Sequence, residues 1–443
     1  MIRIITLLLF LGATLLGACW QENKTESAYS QSVTNKTYNA SKVEIRKTGT
    51  RYQLFRDGKP YFIKGASGRT NLAMIKEAGG NSIRTYTADA LDTLLERAHA
   101  LDLSVAVGLY VGRELEGFDY HDKKAVQQQK ERIRATVNRY KNHPAVLCWI
   151  VGNEPDIVTK NDKRLWLAIN DLVDLIHQLD PDHPVTIAVH TSSANTVLER
   201  CPNIDFVAVN TFGHVADFAQ NFKYDKPYLY SEWGSLGPWE SKKTYWQAPL
   251  EESVQGKYVR IRYAYNYILK DSIRCLGSYV FYWGQKQEVT PTWFSFFLEN
   301  GAKTMLVDIM YELWSQQKPP NYAPILDSLL INNEGSSLRR ELQAGQKYNA
   351  IISSLDPENE PLTYNWEIIP EGPFTEFQMG IGYVEVRPRP LPDLILHKNK
   401  NTITFKAPEQ TGAYRLLVQA YDEHQGGAYA NMPFFVVNNL LTH

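Results

Sequence analysis

Cysteine is scarce in this chain, with four in 443 residues. Cys19, Cys148, Cys201 and Cys275 lack the close spacing of a zinc site or a disulfide framework. Cys148 sits in an apolar stretch, where a thiol acts as a small buried hydrophobe; a Cys201–Cys275 bridge stays open on spacing alone. Excess charge of either sign is also missing. The 47 basic residues balance 48 acidic ones to a net charge of −1, which argues against nucleic acid or an acidic membrane surface as the main partner. No glycine-rich phosphate loop follows the first strand candidate, so a dinucleotide-binding open sheet loses its usual support. Aromatics are plentiful, at 12% with 10 Trp and 26 Tyr. Beyond what a core needs, that supply suits ligands with apolar faces and polar rims, sugars among them.

The first residues read as an address rather than as structure. Arg3 precedes an apolar run, Ile4 to Leu16, too short to span a bilayer comfortably. The run closes on "LGAC", and a small pair before Cys19 resembles the lipobox of bacterial lipoproteins, in which that Cys becomes the lipidated first residue. This predicts a signal segment over 1–19, a polar disordered tether over 20–41, and a lipid-anchored protein of the bacterial cell envelope. Whether it would face the periplasm or the surface is left open.

After a hairpin signal at Asp57-Gly58, apolar strand candidates recur: Tyr61–Lys64, Ser82–Tyr86, Ser104–Leu109, Val146–Val151, Val185–Val189, Phe206–Val209, Tyr228–Ser231 and Ser278–Trp283. Segments with apolar residues three and four apart fill the gaps, as in "KRLWLAINDLVDLIHQLD". Eight strands alternating with helices predict a (β/α)8 TIM barrel over 42–318, hairpin included. The proline-rich "SQQKPPNYAP" ends this rhythm, and short strand patterns follow, so 319–443 is expected to form a small all-β immunoglobulin-like sandwich. Its acidic turn at Asp356, Glu358 and Glu360 has the ordinary reading of solvated charge and the rarer one of a calcium site.

In such a barrel, chemistry collects at the C-terminal ends of the strands. Those ends supply Arg84, Tyr110, Asn153 with Glu154, His190, Asn210, Tyr230 with Glu232, and Trp283. Two carboxylates from the fourth and seventh strands thus face one mouth. Glycosidic bonds break through an oxocarbenium-like transition state that needs a proton donor on the leaving oxygen and an anion beneath the ring. Glu154, after an amide able to donate to a sugar 2-hydroxyl, is the expected acid/base. Glu232, within reach of Arg84, is the expected nucleophile. Neither a metal nor an organic cofactor is needed. Tyr110, His190, Asn210, Tyr230 and Trp283 are expected to contact the sugar. Short loops after most strands predict an open groove.

The stretches "NHPAVLCWIVGNEPD", "LDPDHPVTIAVH", "KPYLYSEWG" and "FYWG" resemble the catalytic barrel of the β-galactosidase/β-glucuronidase family, within clan A of the glycoside hydrolases. The resemblance implies a retaining β-glycosidase acting on a β-linked glycan, with Glu154 and Glu232 in the roles above, Arg84 supporting the nucleophile and Trp283 walling the sugar site. Two features depart from it. Phe212 stands where relatives usually carry a Tyr that bonds the nucleophile; Tyr230, two residues before Glu232 and so expected on the same strand face, is the candidate substitute. The β-sandwiches that precede the barrel in that family are not expected in this sequence ahead of residue 42. "GKPYFIKGASG" and "GGNSIRTY" also resemble β-1,3-glucan-remodelling transglycosylases of the same clan. A β-glucan transglycosylase and a non-catalytic glycan-binding lipoprotein are therefore the alternatives.

Overall fold

The structure is a computed structural model that describes residues 38–157, 163–222, 224–372 and 385–438. Cys19, the leader and nearly all of the expected tether lie outside the described residues. Strands β1 (Val43–Thr48), β2 (Arg51–Arg56) and β3 (Lys59–Pro60) form an antiparallel sheet. Its tight turn is Asp57-Gly58, both at positive φ (51° and 75°), the backbone that a two-residue hairpin turn requires.

Eight parallel strands then close into a barrel: β4 (Ile63–Ser67), β5 (Ser82–Arg84), β6 (Ser104–Leu109), β7 (Val146–Asn153), β8 (Val185–His190), β9 (Val207–Phe212), β10 (Tyr228–Gly234) and β11 (Cys275–Phe281). Side chains alternate along each strand. On β7, Trp149 and Val151 join the core shared with the helices. Cys148 and Ile150 join Ala106, Ala188, Ala208, Leu229 and Tyr279 in a second cluster inside the barrel. Val43 and Leu54 of the hairpin belong to that inner cluster, so the hairpin stoppers the N-terminal end and chemistry is left to the other.

The helices carry one apolar face each. In the helix Lys123–Tyr140, Ile133 and Val137 are buried while the basic remainder is solvated. Asp122 caps it, its carboxylate accepting from the amides of Lys124 (2.8 Å) and Ala125 (3.2 Å). Cys148, Cys201 and Cys275 are buried free thiols, so no Cys201–Cys275 bridge forms. Among the described residues, no helix is long and apolar enough to cross a membrane.

The helix Met305–Ser315 ends the barrel, and a β-sandwich follows. One sheet runs β12 (Ile325–Ile331), β14 (Lys347–Leu355), β17 (Thr402–Lys406), β16 (Ile395–Asn399); the other runs β13 (Glu341–Gln343), β19 (Gly427–Val437), β18 (Gly412–Tyr421), β15 (Thr363–Pro370). Trp366, Phe405, Leu416, Val418 and Phe434 fill the space between them.

Barrel and sandwich are joined by a buried ion pair. Lys257 Nζ, on the helix Val254–Lys270, donates to Glu251 Oε1 (2.6 Å), to the carbonyls of Thr292 (3.1 Å) and Trp293 (2.7 Å), and to Tyr429 Oη of the sandwich (3.0 Å). Glu251 Oε2 in turn accepts from Thr290, Thr292 and Asn431. The pair therefore fixes the segment that follows β11 against the sandwich. Removing one charge leaves the other desolvated and alone, which costs about 3–5 kcal/mol. We expect Lys257→Met to lose stability on that scale in urea titration, and Glu251→Gln added to it to restore most of the loss.

Candidate active site

Glu154 and Glu232 are both aimed by irregularities in strand pairing. Between β7 and β8, Ile150 pairs with Thr186 but Asn153 with Ala188, so β7 carries one residue more than its partner. Gly152 (φ 82°) and Glu154 (φ 47°) turn the chain there, and the Glu154 amide donates to the carbonyl of Ala188 at 2.7 Å. Between β10 and β9, Tyr230 pairs with Val209 and Glu232 with Asn210, so Ser231 is the extra residue. A bulge re-aims the side chains beyond it. Ser231 Oγ points inward to Asn210 Oδ1 (2.7 Å), and Glu232, which strict alternation would send outward with Tyr230, also faces the mouth.

The two glutamates line one cavity of about 800 Å³. Beneath it lies Arg84, fully buried at the end of β5. Its Nη1 donates to Glu232 Oε1 (2.8 Å) and to the carbonyl of Ser231 (2.8 Å), and its Nη2 donates to Asn153 Oδ1 (2.6 Å). Asn210 Nδ2 donates to Asn153 Oδ1 (3.1 Å) and to Glu154 Oε1 (2.9 Å). One chain of bonds thus runs from Glu232 through Arg84, Asn153 and Asn210 to Glu154. Because Asn153 Oδ1 accepts from both neighbours, its own amide protons are turned toward the cavity that it lines.

The two carboxylates have unlike surroundings. Burial, and then the negative charge of Glu232, push the Glu154 carboxyl up to about 7, with the Asn210 bond opposing. Glu232 is paired with the guanidinium at 2.8 Å.

The other expected contacts divide. Tyr110 and His190 line the cavity. Tyr110 Oη donates to Glu116, and burial, then that bond, pushes its phenol up to about 12. His190 Nδ1 lies 2.8 Å from Ser192 Oγ, and burial lowers its pKa. Asn210 is fully buried and acts through its bonds to Asn153 and Glu154.

Tyr230 and Trp283 are not brought to the site. Tyr230 follows regular alternation to the helix side, against Phe218 and with Oη 3.3 Å from the carbonyl of Val215, while the extra residue after it turns Glu232 inward; Tyr230 does not stand in for the missing Tyr at 212. Tyr86 lines the cavity with Glu232, and burial, then the Glu232 charge, hold its phenol well above the usual range; its hydroxyl makes no hydrogen bond to Glu232. Trp283 stacks on Trp314 in the outer core and gives its indole N–H to the carbonyl of Asn71 (3.3 Å). The wall assigned to it is made by Phe281 and Tyr282.

Loops contribute what strand ends do not. The cavity is also lined by Arg113 and Glu116 from the segment after β6, Trp239 from the segment after β10, and Lys286 and Glu288 from the segment after β11. These segments are long and add walls to the site that the strand ends alone do not supply. Trp239 meets Phe212 edge-on at 4.9 Å, while Trp246 from the same exposed-looking stretch packs on Phe435 of the sandwich. The long intervals after the third and eighth strand candidates were the available signal for the loop residues.

The family model described as "Glycosyl hydrolases family 2, TIM barrel domain" matches residues 106–294. The β-glucuronidase of Felis catus is 24% identical over 223 residues, covering 42% of this chain and 33% of that protein. Mannan endo-1,4-β-mannosidase A of Podospora anserina is 35% identical over 68 residues, 15% of this chain and 18% of that protein. The structure of a β-glucuronidase from an uncultured Clostridium sp. shares the fold, with a TM-score of 0.50 at 17% identity over 63% of this chain and 54% of that one. The matched region spans about a third of the length of the curated β-glucuronidases.

The raised Glu154 carboxyl makes a prediction about folding. It holds its proton to about pH 7 when folded, against about 4.3 in an unfolded chain. Folding therefore takes up a proton between those values, and the native state loses stability as pH rises through them. Glu154→Gln removes that dependence. Its stability relative to the parent, from denaturant titrations, should rise between about pH 4.5 and 7 by on the order of 3 kcal/mol and level off above.

Proposed function

We propose, from the premise that this barrel is that of a clan A glycoside hydrolase of the β-glucuronidase/β-galactosidase type, that the protein is a retaining β-glycosidase. The observation that carries the reading is the unequal state of two carboxylates over one cavity, one charge-paired and one pushed up to about 7. Glu232 attacks the anomeric carbon while Glu154 protonates the departing glycosidic oxygen, leaving the sugar esterified to Glu232. Glu154, now a base, takes a proton from water, whose oxygen displaces Glu232 with a second inversion. The inward amide of Asn153 donates to the sugar 2-hydroxyl, and Phe281, Tyr282 and Trp239 supply apolar walls for the ring.

The names of the relatives make a β-glucuronide one candidate substrate. The cavity's own charges favour a neutral sugar. Lys286 is bonded to Glu288, and Arg113 to Glu116, so a sugar carboxylate would have to displace a protein one. We therefore place a neutral β-hexoside at the cleaved position. Hydrolase and transglycosylase share the ester intermediate, and product analysis at high acceptor concentration separates them. The "LGAC" motif supports a place in the cell envelope through a lipid on Cys19.

A panel of aryl β-glycosides should show turnover, with NMR of the first-formed product giving the β anomer. Neutral hexosides should outpace the glucuronide. Glu232→Gln should lower kcat by at least about three orders of magnitude while sugar affinity persists; a glycan-binding protein would show no turnover to lose. The parent's kcat should fall above about pH 7 as Glu154 loses its proton. Membrane fractionation of a bacterial host should move the protein to the soluble fraction on Cys19→Ala.

A further inference from the structure

The sandwich carries a second cluster of carboxylates, remote in sequence from those of the barrel. Asp356 directly follows β14, Glu360 lies in the same turn, and Asp422 directly follows β18. One carboxylate oxygen from each lies within 4.8 Å of the others. Asp356 is only 5% exposed. Its Oδ2, Glu360 Oε2 and Asp422 Oδ2 are all shut off from water and accept no hydrogen bond. Three carboxylate oxygens in that condition repel one another and forgo solvation, an arrangement that calls for a positive charge between them.

The remaining oxygens explain why the three are held in place. Asp356 Oδ1 accepts from the amides of Glu358 (3.0 Å) and Glu360 (2.8 Å). Asp422 Oδ1 accepts from the amides of His424 (2.7 Å) and Gly426 (2.7 Å). Glu360 Oε1 meets His424 Nδ1 at 2.7 Å, and that bond raises the imidazole pKa. Each carboxylate is therefore anchored through one oxygen and presents the other to a common point. Glu358, the third acid of the turn, is used elsewhere: its Oε1 accepts from the amide of Tyr322 at 3.2 Å.

We propose that Asp356, Glu360 and Asp422 bind one calcium ion. An all-oxygen donor set of three carboxylates suits a hard cation that takes 6–8 oxygens in flexible geometry, with backbone carbonyls and water completing the shell. Magnesium, which demands a tighter octahedron, suits it less. The ion ties the turn after β14 to the turn after β18. The latter abuts the barrel, with the Lys303 amide donating to the Gln425 carbonyl (2.9 Å) and the Gly427 amide to the Lys303 carbonyl (2.7 Å). Calcium would thus clasp the seam where the chain returns from the cavity wall after β11.

The test is thermal unfolding and calorimetric titration of the full chain stripped with EGTA, with calcium and magnesium as probes. Saturating calcium should raise the unfolding temperature by roughly 5 °C, with one ion per chain, and magnesium should give less than half that shift. Asp356→Asn and Asp422→Asn keep shape and anchoring oxygens, so in EGTA each should unfold no lower than the parent, and in calcium each should lose the shift. A parent shift below about 1 °C, a stoichiometry under half an ion per chain, or a shift undiminished in both variants overturns the proposal. Glu360→Gln supplies the same comparison should either Asn variant fail to fold.

Discussion

The buried guanidinium of Arg84 is the point on which the site depends. A charge taken fully out of water is tolerable only where acceptors surround it, and Arg84 reaches Glu232, the Ser231 carbonyl and Asn153 with bonds of 2.6–2.8 Å. The same bonds fix Glu232 electrostatically, hold Asn153 with its amide protons toward the cavity, and through Asn210 reach Glu154. One cation thereby gives the two carboxylates opposite characters. The acid next to it is charge-paired, and the acid reached only through two amides is buried beside a negative neighbour, which pushes its carboxyl up to about 7.

Strand irregularity supplies the aim. In a regular barrel, alternate side chains go to the helices, and both glutamates lie beyond an extra residue in their strands. The bulge in β10 turns Glu232 inside, while Tyr230, two residues before it, stays outside. The bulges also leave the barrel mouth to be finished by chain that follows β6, β10 and β11. The last of these segments is pinned to the sandwich by the Lys257–Glu251 pair and its bond to Tyr429. The sandwich is therefore a brace for the cavity wall.

The eight strands and the acidic residues at their ends could be read along the chain because both are local signals. Apolar runs mark buried strands, and a Glu directly after one stands out against them. Tyr230 was misplaced because a count of two along a strand assumes unbroken pairing, and pairing is decided by the neighbour; Trp283, taken for a strand end and a sugar wall by resemblance, lies beyond β11 and packs on Trp314. Lys286, Glu288 and Arg113 could not be ranked, as loop residues have no periodicity to betray where they fold. Asp422 lies far along the chain from Asp356 and Glu360 and meets them only when β18 pairs with β15.

The sequence by itself determined the barrel, the sandwich and the placing of two acids at strand ends, because burial and period are properties of short windows. Tertiary structure alone decided which aromatic rings face the cavity, which carboxylate is charge-paired, and which three acids converge in the sandwich. Each of those depends on a distance between residues far apart in the chain, and electrostatics and packing act through distance.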